Sequence, residues 1–319
     1  MLPRYLLLIC LFVTMEARAV IVSGTNGTIN TTGTNAGGGW DYVGAVNGAS
    51  GIYLGAYNGG YWVLTARHVN AGNFVLSGST YNYVAGTVVG ITNPDSSPTD
   101  LVVFRIDAQP PTLPNLALRS AAVTGPAGVK MMGYGLNRAA DKTTWYVETG
   151  TTPNVWSTTT TPGWDVQRDG YTTVVNSYTK RWGDNTISST TSISYSVSGT
   201  TMNVQTIVTD FSDVPGEAQG ILGDSGGGVF DLNTNGTGNP GDDYWELAGS
   251  IVTVGTYPAQ PSNTAVYNDL TYAANISQYR TAILNAVPEP RVSGLILLAG
   301  AIFATNRRTR SRTREPAAR

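Results

Sequence analysis

Trp62-Val63-Leu64-Thr65-Ala66-Arg67-His68-Val69 opens as an aromatic and β-branched run and ends on the only histidine of the 319 residues. Such a run suits a pleated, buried surface, so 61–65 reads as a strand. The same texture repeats outward. Residues 41–46, 50–56, 73–76, 81–89, 101–106 and 129–134 form a first set of short runs, separated by Gly, Asn and Pro. Residues 186–189, 192–197, 201–209, 227–231 and 244–254 form a second. Short strands with turn signals at close intervals predict an all-β sandwich or barrel. Pro110, Pro111 and Pro114 break the chain after 101–106, which predicts a crossover between two half-domains. No fixed-period repeat is present, which excludes a solenoid or propeller. The stretch 138–180, rich in Thr, Trp and Pro, reads as a long surface insertion. One helix is predicted, over 275–286. Ile276, Tyr279 and Ile283 share a face with Leu284 beside them, Asn275 caps the start and Pro288 stops the end.

The ends read as addresses. Arg4, an apolar run from Leu6 to Val13 and Ala17-Arg18-Ala19 have the order of a secretory signal peptide over 1–19. The only cysteine, Cys10, falls inside it, so the exported body holds no disulfide and relies on its core. Residues 20–39 are Gly, Thr and Asn with few apolar anchors, a flexible lead-in or an edge segment. At the other end, Val287-Pro288-Glu289-Pro290 precedes an apolar helix over 292–305 and an Arg-rich terminus. The apolar run is short for a full span, and the arginines would hold its end on the cytoplasmic side. The two ends carry nine of the 19 basic residues and three of the 21 acids, leaving a body with a net charge of −8. An acidic body with scattered Lys and Arg argues against nucleic acid as a partner.

Acyl transfer by a serine needs a hydroxyl, a base to take its proton, an acid to orient the base, and donors for the oxyanion. The chain offers one candidate for each. Ser225 lies in Gly223-Asp224-Ser225-Gly226-Gly227, where flanking glycines allow unusual backbone angles and close approach of a substrate. The N–H groups of Gly223 and Ser225 are the oxyanion candidates. His68 follows an apolar strand. Asp100 stands at the mouth of 101–106, where a shielded carboxylate would grip the imidazole. Asp95 is a weaker rival, since an Asp before a strand is ordinarily a turn residue.

These three segments, in the order His, Asp, Ser, resemble the trypsin/chymotrypsin-like serine proteases. Gly133-Tyr134-Gly135 resembles the family's Gly-aromatic-Gly, and Ser250-Ile251-Val252-Thr253-Val254-Gly255 resembles the strand lining its primary pocket. The resemblance runs from about Trp40 to Val287. It implies two antiparallel six-stranded β-barrels, about 40–120 and 121–274, with a C-terminal helix and the site in their cleft. The tail over 288–319 resembles the PEP-CTERM sorting signal of Gram-negative bacteria. That implies signal peptidase and an exosortase-type enzyme as processing partners, transient membrane insertion through the tail, and a cell-surface or extracellular destination.

The departures are specific. Arg67 replaces the alanine usual before the histidine and should reach solvent or a neighbouring loop. Gln219 stands where trypsin-like members carry an aspartate, so cleavage after basic residues is not expected. Thr253, Val254 and Gly255 complete the expected pocket, with Gly255 leaving its mouth open. Ile21-Val22-Ser23-Gly24 resembles the freed N-terminus that pairs with Asp224 in many members, but cleavage after Ala19 would leave Val20 first. Either the end is trimmed or Asp224 has another partner; the reading favours the second. Asp231, Asn233, Asn235 and Asp242 have the spacing of a calcium loop. No helices flank them and the twelfth position lacks the bidentate Glu, which favours a plain hairpin turn and no cofactor. The reading is an exported serine endopeptidase acting on peptides or proteins. Its rivals are an inactive surface or biofilm-matrix protein on the same fold, an esterase with the same triad, and a calcium-dependent binding module.

Overall fold

The computed structural model describes residues 20–24, 29–110, 113–164, 166–236 and 239–287. The expected signal peptide, 1–19, and sorting tail, 288–319, lie outside the described residues. Among those described, no helix is long and apolar enough to cross a membrane.

Local turn chemistry sets much of the register. Asn47-Gly48, Asn58-Gly59, Ser77-Gly78 and Ser198-Gly199 each hold both residues at positive φ, between 47° and 81°. This is the type I′ geometry, whose twist matches that of the strands it joins. These turns close four antiparallel hairpins: Val43–Val46 with Ala49–Tyr57, Ala49–Tyr57 with Gly60–Ala66, Phe74–Leu76 with Ser79–Tyr81, and Arg181–Val197 with Thr200–Asp210.

The fold is all-β with one C-terminal helix, built on two curled sheets. The first sheet runs Ser79–Tyr81, Phe74–Leu76, Val43–Val46, Ala49–Tyr57, Gly60–Ala66, Pro98–Ile106, Val89–Thr92. Both its faces carry core residues: Ile52, Leu64, Leu101 and Val103 are buried on one, Val63, Phe74 and Phe104 on the other. The strand expected over 81–89 is not continuous. Gly86 takes a φ of 78°, Thr87 Oγ1 bonds back to the Val84 carbonyl, and Val88 and Val89 face outward. With no face to bury, that run splits, and this sheet carries seven short strands where six were expected.

The second sheet closes on itself. Gly228–Asn233, Ala127–Gly133, Arg181–Val197, Thr200–Asp210, Leu270–Asn275 and Tyr244–Gly255 pair in turn, and the last pairs back with the first. This is the six-stranded antiparallel barrel the resemblance implies, with Ala117–Leu118 added in parallel on Tyr244–Gly255. The helix Ile276–Ala286 follows directly. Asn275 accepts the Ser277 N–H as its cap, and Ile276, Tyr279 and Ile283 are buried, as their spacing predicts.

Two regions sharpen the sequence expectations. The stretch 138–180 is no loose insertion. Leu136–Arg138, Val166–Tyr178, Thr143–Glu148 and Val155–Ser157 form a further sheet, joined by Thr264–Val266. Trp145, Val147 and Val266 are its core, with Trp156, Val166 and Tyr257 against them. The lead-in, expected as a flexible stretch or an edge segment, begins as an edge. Ile21–Val22 pairs antiparallel with Ala218–Gln219, and residues 20–23 have no exposed surface. Arg138 Nε donates to the Val22 carbonyl and Tyr171 OH accepts the Gly24 N–H. Four apolar or small residues suffice for an edge strand when a partner strand is already in place.

Candidate active site

His68 lies in the turn that ends Gly60–Ala66, where Val69 N–H bonds back to the Ala66 carbonyl. The neighbouring strand Pro98–Ile106 pairs with Gly60–Ala66 so that Leu101 stands opposite Ala66. The Arg67 N–H to Asp100 carbonyl bond, 3.1 Å, carries the ladder one step further. That register delivers the Asp100 side chain to the turn. Its Oδ2 lies 2.6 Å from His68 Nδ1 and its Oδ1 accepts the His68 backbone N–H at 2.9 Å. Asp100 has no exposed surface, whereas the His68 side chain is 32% exposed. A buried carboxylate thus grips both the ring and the backbone of a half-open imidazole, leaving Nε2 without a bond to that carboxylate. Asp95 instead caps its own turn through the Ser97 N–H and hydroxyl, which hold its exposed carboxyl below the usual range. Arg67 reaches across to Val89–Thr92, its guanidinium 3.0 Å from where a Cβ on Gly90 would stand.

The segment 221–227 is held from several sides. Gly226 N–H bonds to the Ile251 carbonyl and Ile251 N–H to the Gly227 carbonyl. Ser50 Oγ donates to the Gly223 carbonyl and accepts the Tyr134 N–H, and Ser50 N–H bonds to the Ser225 carbonyl. Gly226, at a φ of 81°, packs so closely that an added Cβ would stand 2.2 Å from Ser50 O and 2.3 Å from Thr65 Oγ1. Strands of the first sheet and the Ser225 turn are therefore in direct contact, at Thr65, three residues before His68, and at Gly226, one residue after Ser225. The amides of Gly223 and Ser225 make no intramolecular hydrogen bond among the described residues. They remain available as donors.

Asp224 beneath this turn is fully buried. Its carboxylate accepts the Gly135 N–H at 2.7 Å and the Ile221 N–H at 2.8 Å. Burial pushes its pKa up to about 8, against the pull of those two amides and of the Arg181 charge. Ile21 and Val22 are engaged in their edge strand, so the partners of Asp224 are the backbone and a nearby buried arginine.

The expected pocket residues are drawn together only in part. Gln219 is buried, with Nε2 on the Leu270 carbonyl and Oε1 accepting the Thr271 hydroxyl; its amide is spent on neighbouring strands. Thr253, Val254 and Gly255 are half-buried at the end of Tyr244–Gly255. The ring of Tyr272 lies 2.9 Å from where a Gly255 Cβ would stand, so that side of the glycine is covered and not open. Leu222, two-thirds exposed, sits beside the Ser225 turn. The calcium-spaced side chains have other occupations. Asp231 pairs with Arg119, Asn233 Oδ1 accepts the Asn235 N–H, and Asn235 Nδ2 donates to the Asp242 carbonyl. Among the described residues no cluster of three His, Cys, Asp or Glu side chains has metal-binding geometry.

Sequence reasoning missed Tyr195, whose hydroxyl donates to Asp100 Oδ2 at 2.6 Å. The one sequence signal was the alternation Ile193, Tyr195, Val197 against Ser192, Ser194, Ser196.

No family model matches the chain and no curated protein matches it. Among solved structures it is similar to the active form of the Rv3671c protease from M. tuberculosis, at 12% identity over 85% of this chain and 92% of that one, TM-score 0.42. It is also similar to the murine norovirus NS6 protease, an inactive C139A mutant, at 12% identity over 75% and 98%, TM-score 0.36. The residue roles rest on this chain's own geometry.

Proposed function

We propose that the chain is an exported serine endopeptidase that hydrolyses peptide bonds through an acyl-enzyme. The observation that carries this reading is the 2.6 Å contact between His68 Nδ1 and buried Asp100, next to a glycine-bounded turn that bears Ser225. With Nδ1–H fixed on Asp100, Nε2 is the basic nitrogen of the ring. It takes the Ser225 hydroxyl proton as Oγ bonds to the substrate carbonyl carbon, whose π pair moves to oxygen. The free N–H groups of Gly223 and Ser225 receive that oxyanion. Collapse breaks the C–N bond, and the amine leaves with the proton from Nε2. Water then repeats the sequence and releases the acid.

Asp224 supports the turn in a second way. Two amides already hold its carboxylate, so activity does not await a freed ammonium at residue 21. The buried, self-satisfied Gln219 brings no charge to a substrate, which favours small or apolar side chains over Lys and Arg. Export rests on the leader-like 1–19, and release from the membrane on the Pro-Glu-Pro tail.

The test is covalent labelling of the secreted protein with a fluorophosphonate, alongside Ser225→Ala and His68→Ala, followed by casein and ester hydrolysis. Labelling abolished in Ser225→Ala, with turnover down on the order of 10⁶ in either variant, is the expected result. A folded, unlabelled wild type would overturn the reading in favour of a protease-fold surface protein. Ester without casein hydrolysis would mark an esterase.

A further inference from the structure

Tyr195 comes from the other half of the molecule. It lies on Arg181–Val197, near the tip of the long hairpin with Thr200–Asp210. Strand alternation points Ile193, Tyr195 and Val197 to one side, where they pack on the main core, and leaves Ser192, Ser194 and Ser196 exposed. Of the three inward side chains only Tyr195 has a polar tip, and the tip ends on Asp100 Oδ2, the same oxygen that holds His68 Nδ1. Separate bonds hold the hairpin there. Asn93 Nδ2 donates to the Asn203 carbonyl at 2.9 Å, and Tyr279 OH accepts the Gln205 N–H at 2.7 Å while donating to Asn93 Oδ1 at 3.0 Å.

We infer that Tyr195 is a positioning residue for the His68–Asp100 pair, a phenol lent across the cleft to orient the carboxylate and moderate its charge. The inference rests on the function proposed above. Its physical basis is that an ionised carboxylate with no exposed surface needs its lone pairs satisfied. His68 supplies two donors, Tyr195 a third. Donation by the phenol withdraws charge from Oδ2, which weakens the hold of Asp100 on an imidazolium. The groups facing Asp100 are His68 on its own sheet and Tyr195 on the hairpin, with Tyr279 of the C-terminal helix close enough to act on Tyr195.

The test is Tyr195→Phe in the full secreted chain, which deletes one oxygen and keeps the ring. His68 is the only histidine, so ¹⁵N-histidine NMR reads its titration directly, independently of activity. The expected results are a His68 titration shifted to higher pH by about half a unit or more. The acid limb of kcat/KM moves with it, and kcat falls about tenfold with KM unchanged. An unmoved titration together with an unmoved acid limb would overturn the inference. Should Tyr195→Phe lose its cooperative melting transition, Tyr195→Met takes its place; failure of both to fold would also overturn it, because the side chain would then serve the fold alone. If wild type is not labelled by fluorophosphonate, the proposed activity fails, while the NMR titration still decides whether Tyr195 acts on the pair.

Discussion

Asp100, on a strand of the first sheet, and Asp224, in the turn below the second barrel, are carboxylates of equal burial with opposite surroundings. Asp100 accepts an imidazole N–H, a phenol O–H and a backbone N–H. Asp224 accepts two backbone N–H groups and, among the described residues, nothing from a side chain. The difference lies in what the partner can do. An imidazole can take up positive charge during a reaction, so under the proposed function Asp100 would stabilise a state that forms transiently. Amides cannot, so Asp224 holds a loop, and desolvation dominates its titration, lifting it to about 8. Burial alone does not tell these two carboxylates apart; their partners do.

The sharpest way to break the comparison is to neutralise each in turn. Asp100→Asn should leave the melting temperature nearly intact and lower kcat on the order of 10⁴, the scale found where an amide holds such a histidine in the wrong tautomer. Ester hydrolysis with a titrated active-site count measures it; a drop of less than tenfold would remove Asp100 from the mechanism. A steric probe comes next. Gly226→Ala would place a methyl against Ser50 O and Thr65 Oγ1 in a left-handed backbone. It should destabilise by about 3 kcal/mol, from overpacking and backbone strain together. Denaturant unfolding reads that loss, and fluorophosphonate labelling shows whether the turn still presents Ser225.

A third probe separates the two carboxylates by pH. The folded pKa of Asp224, about 8, lies above the unfolded value of about 4. The folded chain therefore keeps a proton that the unfolded chain releases. Its contribution to stability is fully present below pH about 4 and is lost as pH rises through about 8. Asp224→Asn should flatten that slope while lowering stability by about 1–3 kcal/mol at acid pH, since its NH₂ must face one of two N–H donors. Urea midpoints across pH 4–9 for both proteins provide the check. An unchanged slope would mean that Asp224 is ionised and paired, as Asp100 is proposed to be.

Much of this arrangement was legible in the residues. The Asn-Gly and Ser-Gly pairs announce their hairpins because only such residues accept positive φ twice in succession. The run 61–65 and its partner 101–106 announce strands by composition. His68 stood out as the sole imidazole, and Asp100 as the polar residue at the head of a buried run. The edge strand Ile21–Val22 was less legible, because two residues carry no period and its partner Ala218–Gln219 is equally short. The sheet over 138–180 was hidden because 14 of its 43 residues are Thr or Ser, and its core is small, Trp145 and Val147 closed by distant Val266.

The sequence by itself determined what depends on neighbours along the chain: the turns, the strand periods, the helix with its Asn275 cap, and the types of residue available for acyl transfer. Only the tertiary structure decided how Asp100 grips His68 across 32 positions, by ring and backbone at once, which phenol meets that carboxylate from 95 positions away, and that Gln219 and Gly255 are already occupied by their own neighbours. Those choices follow from strand register and from the seating of one half on the other. Both are settled by the burial of whole faces at once, a property no short stretch of sequence contains.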